Sequence, residues 1–213
     1  MTTKAHKTPA TPMPQGPTGA LFPQQPAVLF VCTGNICRSP MGEGILRAEA
    51  AKRGLSTEGP QAVRVDSAAI AHWNLGDAPD QRAQAQMAAM GCDISAHRAR
   101  MVRVGDFRRF THIIAMDHSH LKHLLAMRPH DSIADISLML DHVPGQAGQA
   151  VADPYYGTTA DFAAARDLIT QGCAHLAAKL WPQAGQADQG GGRATTTTPQ
   201  GRTAPNAKEQ HHG

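Results

Sequence analysis

Aromatic residues are scarce in this chain of 213 residues, at 4%, and charge of neither sign dominates, since the formal net charge is only +3. No Lys/Arg run interleaved with aromatics is present, so nucleic acid is not an expected partner. No apolar stretch reaches the ~20 residues that a membrane helix requires. The first residues lack the apolar core of a signal peptide, and the expected location is the cytoplasm. The four cysteines, Cys32, Cys37, Cys92 and Cys173, are not spaced like a disulfide framework. In a cytoplasmic chain such cysteines are more often buried, catalytic or redox-active than structurally paired. Cys-x-x-Cys and His-Glu-x-x-His are both missing, so no metal site is expected. His120 and His123 could share a helix face, but no obvious carboxylate or thiol accompanies them.

Hydrophobic residues make up 41% of the chain, enough for an ordinary soluble core. Residues 1–26 are rich in Pro, Thr, Gly and Gln and show no period, which predicts a disordered tail. The shift at Pro182 to Gly-Gly-Gly and Thr-Thr-Thr-Thr predicts a second tail over 182–213, leaving a folded unit over 27–181. Within it, strand and helix signals alternate. Ala27-Val-Leu-Phe-Val-Cys32 is a short apolar run of the kind buried on both faces of a sheet. A helix is predicted from Pro40 to Lys52 with Ser39 as N-cap, then a strand over Val63–Asp66. A second helix is predicted to open at Asp77 and end at Gly91. Further strands are expected at His112–Met116 and Ile133–Leu138, with a helix from Ser119 to Met127 between them. A last helix over Thr159–Trp181 shows an apolar face of Phe162, Ala165, Ile169, Cys173, Leu176 and Leu180. Thr158 and Asp161 sit at capping-box spacing before it. This alternation predicts an α/β fold, a small parallel sheet of about four strands with helices on both faces. Ligands bind such sheets beyond the strands' carboxyl ends, where Cys32 falls.

The segment Cys32-Thr-Gly-Asn-Ile-Cys-Arg38-Ser39-Pro40 joins the first strand to the first helix. A loop in that place can turn successive backbone N–H groups inward as an anion nest, and the helix N-terminus adds its own donors. Gly34 is expected to supply unusual backbone angles, and Asn35 tolerates left-handed geometry. Arg38 offers a planar fork matched to two phosphate oxygens. A nucleophile, a phosphate cradle and a charge clamp thus fall within seven residues, in a field of the sign that favours a thiolate. A nucleotide-binding P-loop is disfavoured because the Gly-Lys-Ser/Thr ending is absent.

Val31-Cys-Thr-Gly-Asn-Ile-Cys-Arg-Ser-Pro40 resembles the signature of the low-molecular-weight protein tyrosine phosphatases, and Asp153-Pro-Tyr-Tyr-Gly157 resembles that family's second signature. Asp66-Ser-Ala-Ala-Ile, Trp73-Asn, Ser95-Ala-His97 and Ala115-Met-Asp117 resemble segments between them. The resemblance runs from Val28 to Leu180 and implies a flavodoxin-like architecture. It implies hydrolysis of phosphotyrosine in proteins through a phosphocysteine at Cys32, without metal or cofactor; a monomer is expected, though nothing in the sequence fixes the oligomeric state. Thr33, Gly34, Asn35, Ile36, Cys37 and Arg38 would then hold the phosphate, and Ser39 would support the Cys32 thiolate. Asp153 would protonate the leaving phenol and later activate water. Asn35, Ser67 and His97 would brace the loop. Trp73, Tyr155 and Tyr156 would wall a deep aromatic pocket. Ile36 stands where relatives acting on phosphoarginine tend to carry Thr, which favours phosphotyrosine. The resemblance also implies that Cys32 and Cys37 can form a reversible disulfide that shelters the nucleophile.

Residue by residue, plainer readings stand beside these. Asp-Pro is a common turn, Tyr-Tyr is often simple packing, Ser67 and His97 could be ordinary polar residues, and Cys37 could merely pack beneath the loop. The alternative function is a thiol-dependent arsenate reductase on a similar fold. Those relatives carry a third reactive cysteine just after the third strand, where this chain has Met116.

Overall fold

The computed structural model describes residues 25–182. The two tails expected at 1–26 and 182–213 therefore lie outside the described residues, save for 25, 26 and 182. Strand β1 (Ala27–Cys32) is flanked by β2 (Arg64–Ala69) and β3 (His112–Ala115), and β4 (Asp135–Leu138) follows β3. All pairings are parallel, and the order is β2-β1-β3-β4. The order reverses at β1, so the crevice beyond its carboxyl end is the topological switch point of the sheet.

The continuous apolar run of β1 follows from double-sided burial. Val28, Phe30 and Cys32 face one core, while Ala27, Leu29 and Val31 face the other. The first core is closed by α1 (Arg38–Lys52), α2 (Gln81–Ala88) and α4 (Thr159–Leu180). The second is closed by α3 (His118–Met127) and by a 3-10 segment that contributes Phe107. The apolar face read for α4 is buried, with Phe162, Ile169, Cys173 and Leu176 all at 0% exposure. Asp161 accepts from the Thr158 backbone N–H at 2.6 Å and from its hydroxyl at 2.8 Å, which closes the predicted cap. Helix α1 lies close on the sheet at Gly42, where an added Cβ would stand 3.0 Å from the Phe30 ring. That close approach offsets the roughly 1 kcal/mol that glycine costs inside a helix.

Two helix starts differ from expectation by two residues or more, and α3 starts one residue early, at His118. α1 begins at Arg38 with Cys37 as N-cap, not at Pro40 with Ser39 as cap. The Ser39 hydroxyl is engaged elsewhere, on Cys32 and Asn35. α2 begins at Gln81, not near Asp77, because Asp80 is the residue whose carboxylate accepts from the Arg82 backbone N–H.

Candidate active site

Cys32 ends β1, and the chain then curls through Thr33 to Cys37 into the first turn of α1. Among the described residues, none of the backbone N–H groups of Thr33 to Cys37 donates to a protein acceptor. Unpaired donors in succession at a helix N-terminus form an anion cradle. Asn35 adopts the one positive φ among the described non-glycine residues, 58°. Gly34 does not share that geometry. An added Cβ there would lie 2.6 Å from Asn74 Oδ1, so close approach is the reason for glycine at 34, and the backbone-angle expectation is corrected.

The hydrogen bonds behind the loop have a direction that the atom types dictate. Glu43 Oε2 can only accept as a carboxylate, so the Ser67 hydroxyl donates to it at 2.7 Å. Ser67 Oγ in turn accepts from Asn35 Nδ2 at 2.8 Å. The same amide nitrogen donates to Ser39 Oγ at 2.9 Å. Ser39 lies 3.0 Å from Cys32 Sγ, and with Asn35 as its donor its own proton is available for the sulfur. On the other side, Asn35 Oδ1 accepts from the Arg100 backbone N–H at 3.0 Å and lies 3.2 Å from His97 Nε2. The structure thus brings the predicted Asn35, Ser67 and His97 together. Asn35, Ser39 and Ser67 are all fully buried.

Arg38 is 2% exposed and braced from two loops. Nη1 donates to Asp117 Oδ2 at 2.9 Å and to the Val151 carbonyl at 3.0 Å, while Nη2 donates to Asp153 Oδ2 at 2.7 Å. Arg38 Nε is buried with no protein partner among the described residues. Asp153, at 47% exposure, reaches the cavity from the segment between the 3-10 turn after β4 and α4. A cavity of about 240 Å³ opens over Cys32 and is lined by the loop, Arg38, Asp153, Trp73, Asn74, Tyr155 and Tyr156. Trp73, Tyr155 and Tyr156 line its mouth and are all exposed. Tyr156 is 98% exposed and meets Tyr155 edge-on at 4.9 Å. Ile36 lines the cavity and is largely buried. Cys37 is buried, and burial, followed by the neighbouring Cys32, pushes its thiol well above the ordinary range.

Sequence reasoning missed Glu43, Asp117 and His120 as parts of this site. Asp117 caps α3, accepting from the backbone N–H groups of Ser119 at 2.9 Å and His120 at 3.1 Å. Its burial opposes ionisation, but the hydrogen bonds from Ser119 and His120 and the nearby charges of His120 and Arg38 hold its carboxyl below the usual range. An Asp followed by a helix is a legible cap signal, whereas its second duty toward Arg38 crosses 79 residues. His120, at 0% exposure, places Nε2 2.9 Å from Thr33 Oγ1 and Nδ1 3.1 Å from Asp117 Oδ1.

Burial pushes the His120 imidazole down from 6.5 to about 4. Between those values the unfolded chain binds the proton and the folded one does not, so stability falls as pH drops through that window. The loss attributable to His120 is at most roughly 3 kcal/mol. Melting temperatures from pH 7.5 to 4.5 should fall more steeply in the parent than in His120→Asn. Parallel curves would show that His120 does not contribute to acid lability.

Fold and cradle together define an α/β protein with an anion-binding loop that has a cysteine at its start. Residues 27–186 match the model of the family described as low molecular weight phosphotyrosine protein phosphatase. The Bacillus subtilis low molecular weight protein-tyrosine-phosphatase YfkJ is 40% identical over 154 residues, covering 72% of this chain and 95% of that protein. Its crystal structure superposes with a TM-score of 0.66 at 38% identity, over 75% of this chain and 96% of that one. The crystal structure of DARP, a Drosophila arginine phosphatase, gives a TM-score of 0.66 at 33% identity, over 74% and 99% of the two chains. The chain belongs to the low molecular weight phosphotyrosine protein phosphatase family.

Proposed function

We propose that this protein dephosphorylates phosphotyrosine in proteins through a phosphocysteine on Cys32. The observation that carries the reading is the stack of unpaired donors around the sulfur, namely the Thr33–Cys37 amides and Arg38 Nε, with the Asp153 carboxyl beside them. The amides and Arg38 hold the phosphate oxygens and neutralise charge as the phosphoryl group transfers. Cys32 Sγ attacks phosphorus, the P–O(Tyr) bond breaks, and protonated Asp153 delivers its proton to the departing phenol oxygen. Water then attacks the phosphocysteine. Asp153 takes the water's proton, the S–P bond breaks, and the Ser39 hydroxyl at 3.0 Å receives the returning thiolate.

Trp73, Tyr155 and Tyr156 at the mouth suit a phenyl ring, and with Ile36 in the loop they favour phosphotyrosine over phosphoarginine. Arsenate reduction would need a third thiol at the site. Met116 stands in the expected place, and neither Cys92 nor Cys173 lines the cavity. Cys37, buried in the same loop, is assigned as the thiol that condenses with a Cys32 sulfenic acid formed by a peroxide, giving a reversible disulfide and releasing water. A cytoplasmic location and a monomeric state are proposed with it. No described helix is long and apolar enough to cross a membrane.

The test is hydrolysis of phosphotyrosine, phosphoserine and phosphoarginine peptides with EDTA present, with arsenate-driven thiol consumption measured in parallel. Turnover confined to phosphotyrosine and a loss of roughly 10²–10⁴-fold in Asp153→Asn are expected. No turnover of any aryl phosphate by the folded, reduced protein would overturn the reading.

A further inference from the structure

Between Val151 and Thr158 the segment carrying Asp153 makes few hydrogen bonds to other parts of the chain. Two are internal, from the Gly157 N–H to the Pro154 carbonyl at 2.8 Å and from the Tyr155 N–H to Asp153 Oδ1 at 3.2 Å. Among the described residues, the bonds that tie 152–157 to other elements come from two arginines. Arg38 holds the Asp153 carboxylate, and Arg82 holds the backbone. Arg82 Nη1 donates to the Gly157 carbonyl at 3.1 Å, and Nη2 donates to the Tyr155 carbonyl at 3.0 Å.

The guanidinium is itself fixed on three sides. Nε and Nη2 donate to Asp80 at 3.0 and 2.8 Å. Its carbon lies 4.3 Å from the centroid of Phe162, in the first turn of α4. Asp80 in turn donates its backbone N–H to the Ile36 carbonyl in the phosphate loop at 2.8 Å. A continuous chain of short contacts therefore runs from Ile36 through Asp80 and Arg82 to the carbonyls on either side of Tyr156. Only a planar multi-donor head can serve a carboxylate, two carbonyls and a ring face at once, which lysine cannot do.

We infer that Arg82 is a positioning residue that registers the Asp153 segment against the phosphate loop. The inference rests on the proposed acid role of Asp153. When Arg38 turns to the substrate phosphate, the Arg82 bonds to the Tyr155 and Gly157 carbonyls are what still hold the segment that carries Asp153. A misplaced acid penalises leaving groups that need a proton and spares those that do not.

The experiment compares kcat/KM for phenyl phosphate and 2,4-dinitrophenyl phosphate in the parent, Arg82→Lys, Arg82→Met, Asp153→Asn and the Arg82→Lys/Asp153→Asn double variant. Inhibition by inorganic phosphate reports whether the cradle is intact. Loss of charged hydrogen bonds predicts a drop of about tenfold or more on phenyl phosphate in both Arg82 variants. The dinitrophenyl ester should change by less than about threefold, phosphate inhibition should be unaltered, and the double variant should lose little beyond Asp153→Asn. Equal losses on both esters, or none, would overturn the inference while leaving the acid role standing. If Asp153→Asn itself fails to distinguish the esters, the acid assignment falls and this inference falls with it.

Discussion

Cys32→Ser is expected to reduce turnover of phosphotyrosine peptide to background, a loss of at least about 10⁴-fold. The oxygen of a serine would still sit within reach of Ser39, but a neutral hydroxyl is a far weaker nucleophile than a thiolate. The unpaired amides of Thr33 to Cys37 and the Arg38 fork do not depend on sulfur. The variant should therefore retain binding of inorganic phosphate and of the intact phosphopeptide, measurable by calorimetry. Binding without turnover separates chemistry from recognition. Residual turnover above a few per cent of parent would show that another group performs the attack.

Arg38→Lys should cost roughly three orders of magnitude in kcat/KM. The guanidinium has five donors, of which those on Nη1 and Nη2 reach Asp117, the Val151 carbonyl and Asp153, and Nε–H is unpaired. A lysine ammonium retains the charge but cannot satisfy those partners and grip phosphate together. The change also deprives Asp117 of the Arg38 Nη1 hydrogen bond, at a position where burial already works against its ionisation. The loss should appear in both KM and kcat, with thermal stability lowered as well. A lysine variant within tenfold of the parent would place the transition-state charge on the backbone amides alone.

The sheet was legible because β1 is apolar at every position, the signature of a strand covered on both sides. The cradle was legible because its parts lie within a few residues of one another. What escaped was held together across long separations. Glu43 sits on the first helix and meets Ser67 only once β2 is laid beside β1. Arg82 reaches across 75 residues to Gly157. His120 looked like a member of a histidine cluster, and burial against Thr33 is what defines its environment. The start of α1 was misread for a related reason. A serine at a helix entrance reads as a cap, but here its hydroxyl points to the sulfur and not to the backbone.

The left-handed turn at Asn35 leaves that position almost no mutational latitude. Glycine would adopt φ of 58° with less strain, but it has no amide to donate to Ser39 and Ser67. Aspartate tolerates the same geometry, yet it would replace the donor with an acceptor and set a negative charge close to the sulfur. Residues with bulky side chains are excluded by the backbone and by full burial. A saturation library at this codon, selected for activity, should therefore return asparagine nearly alone.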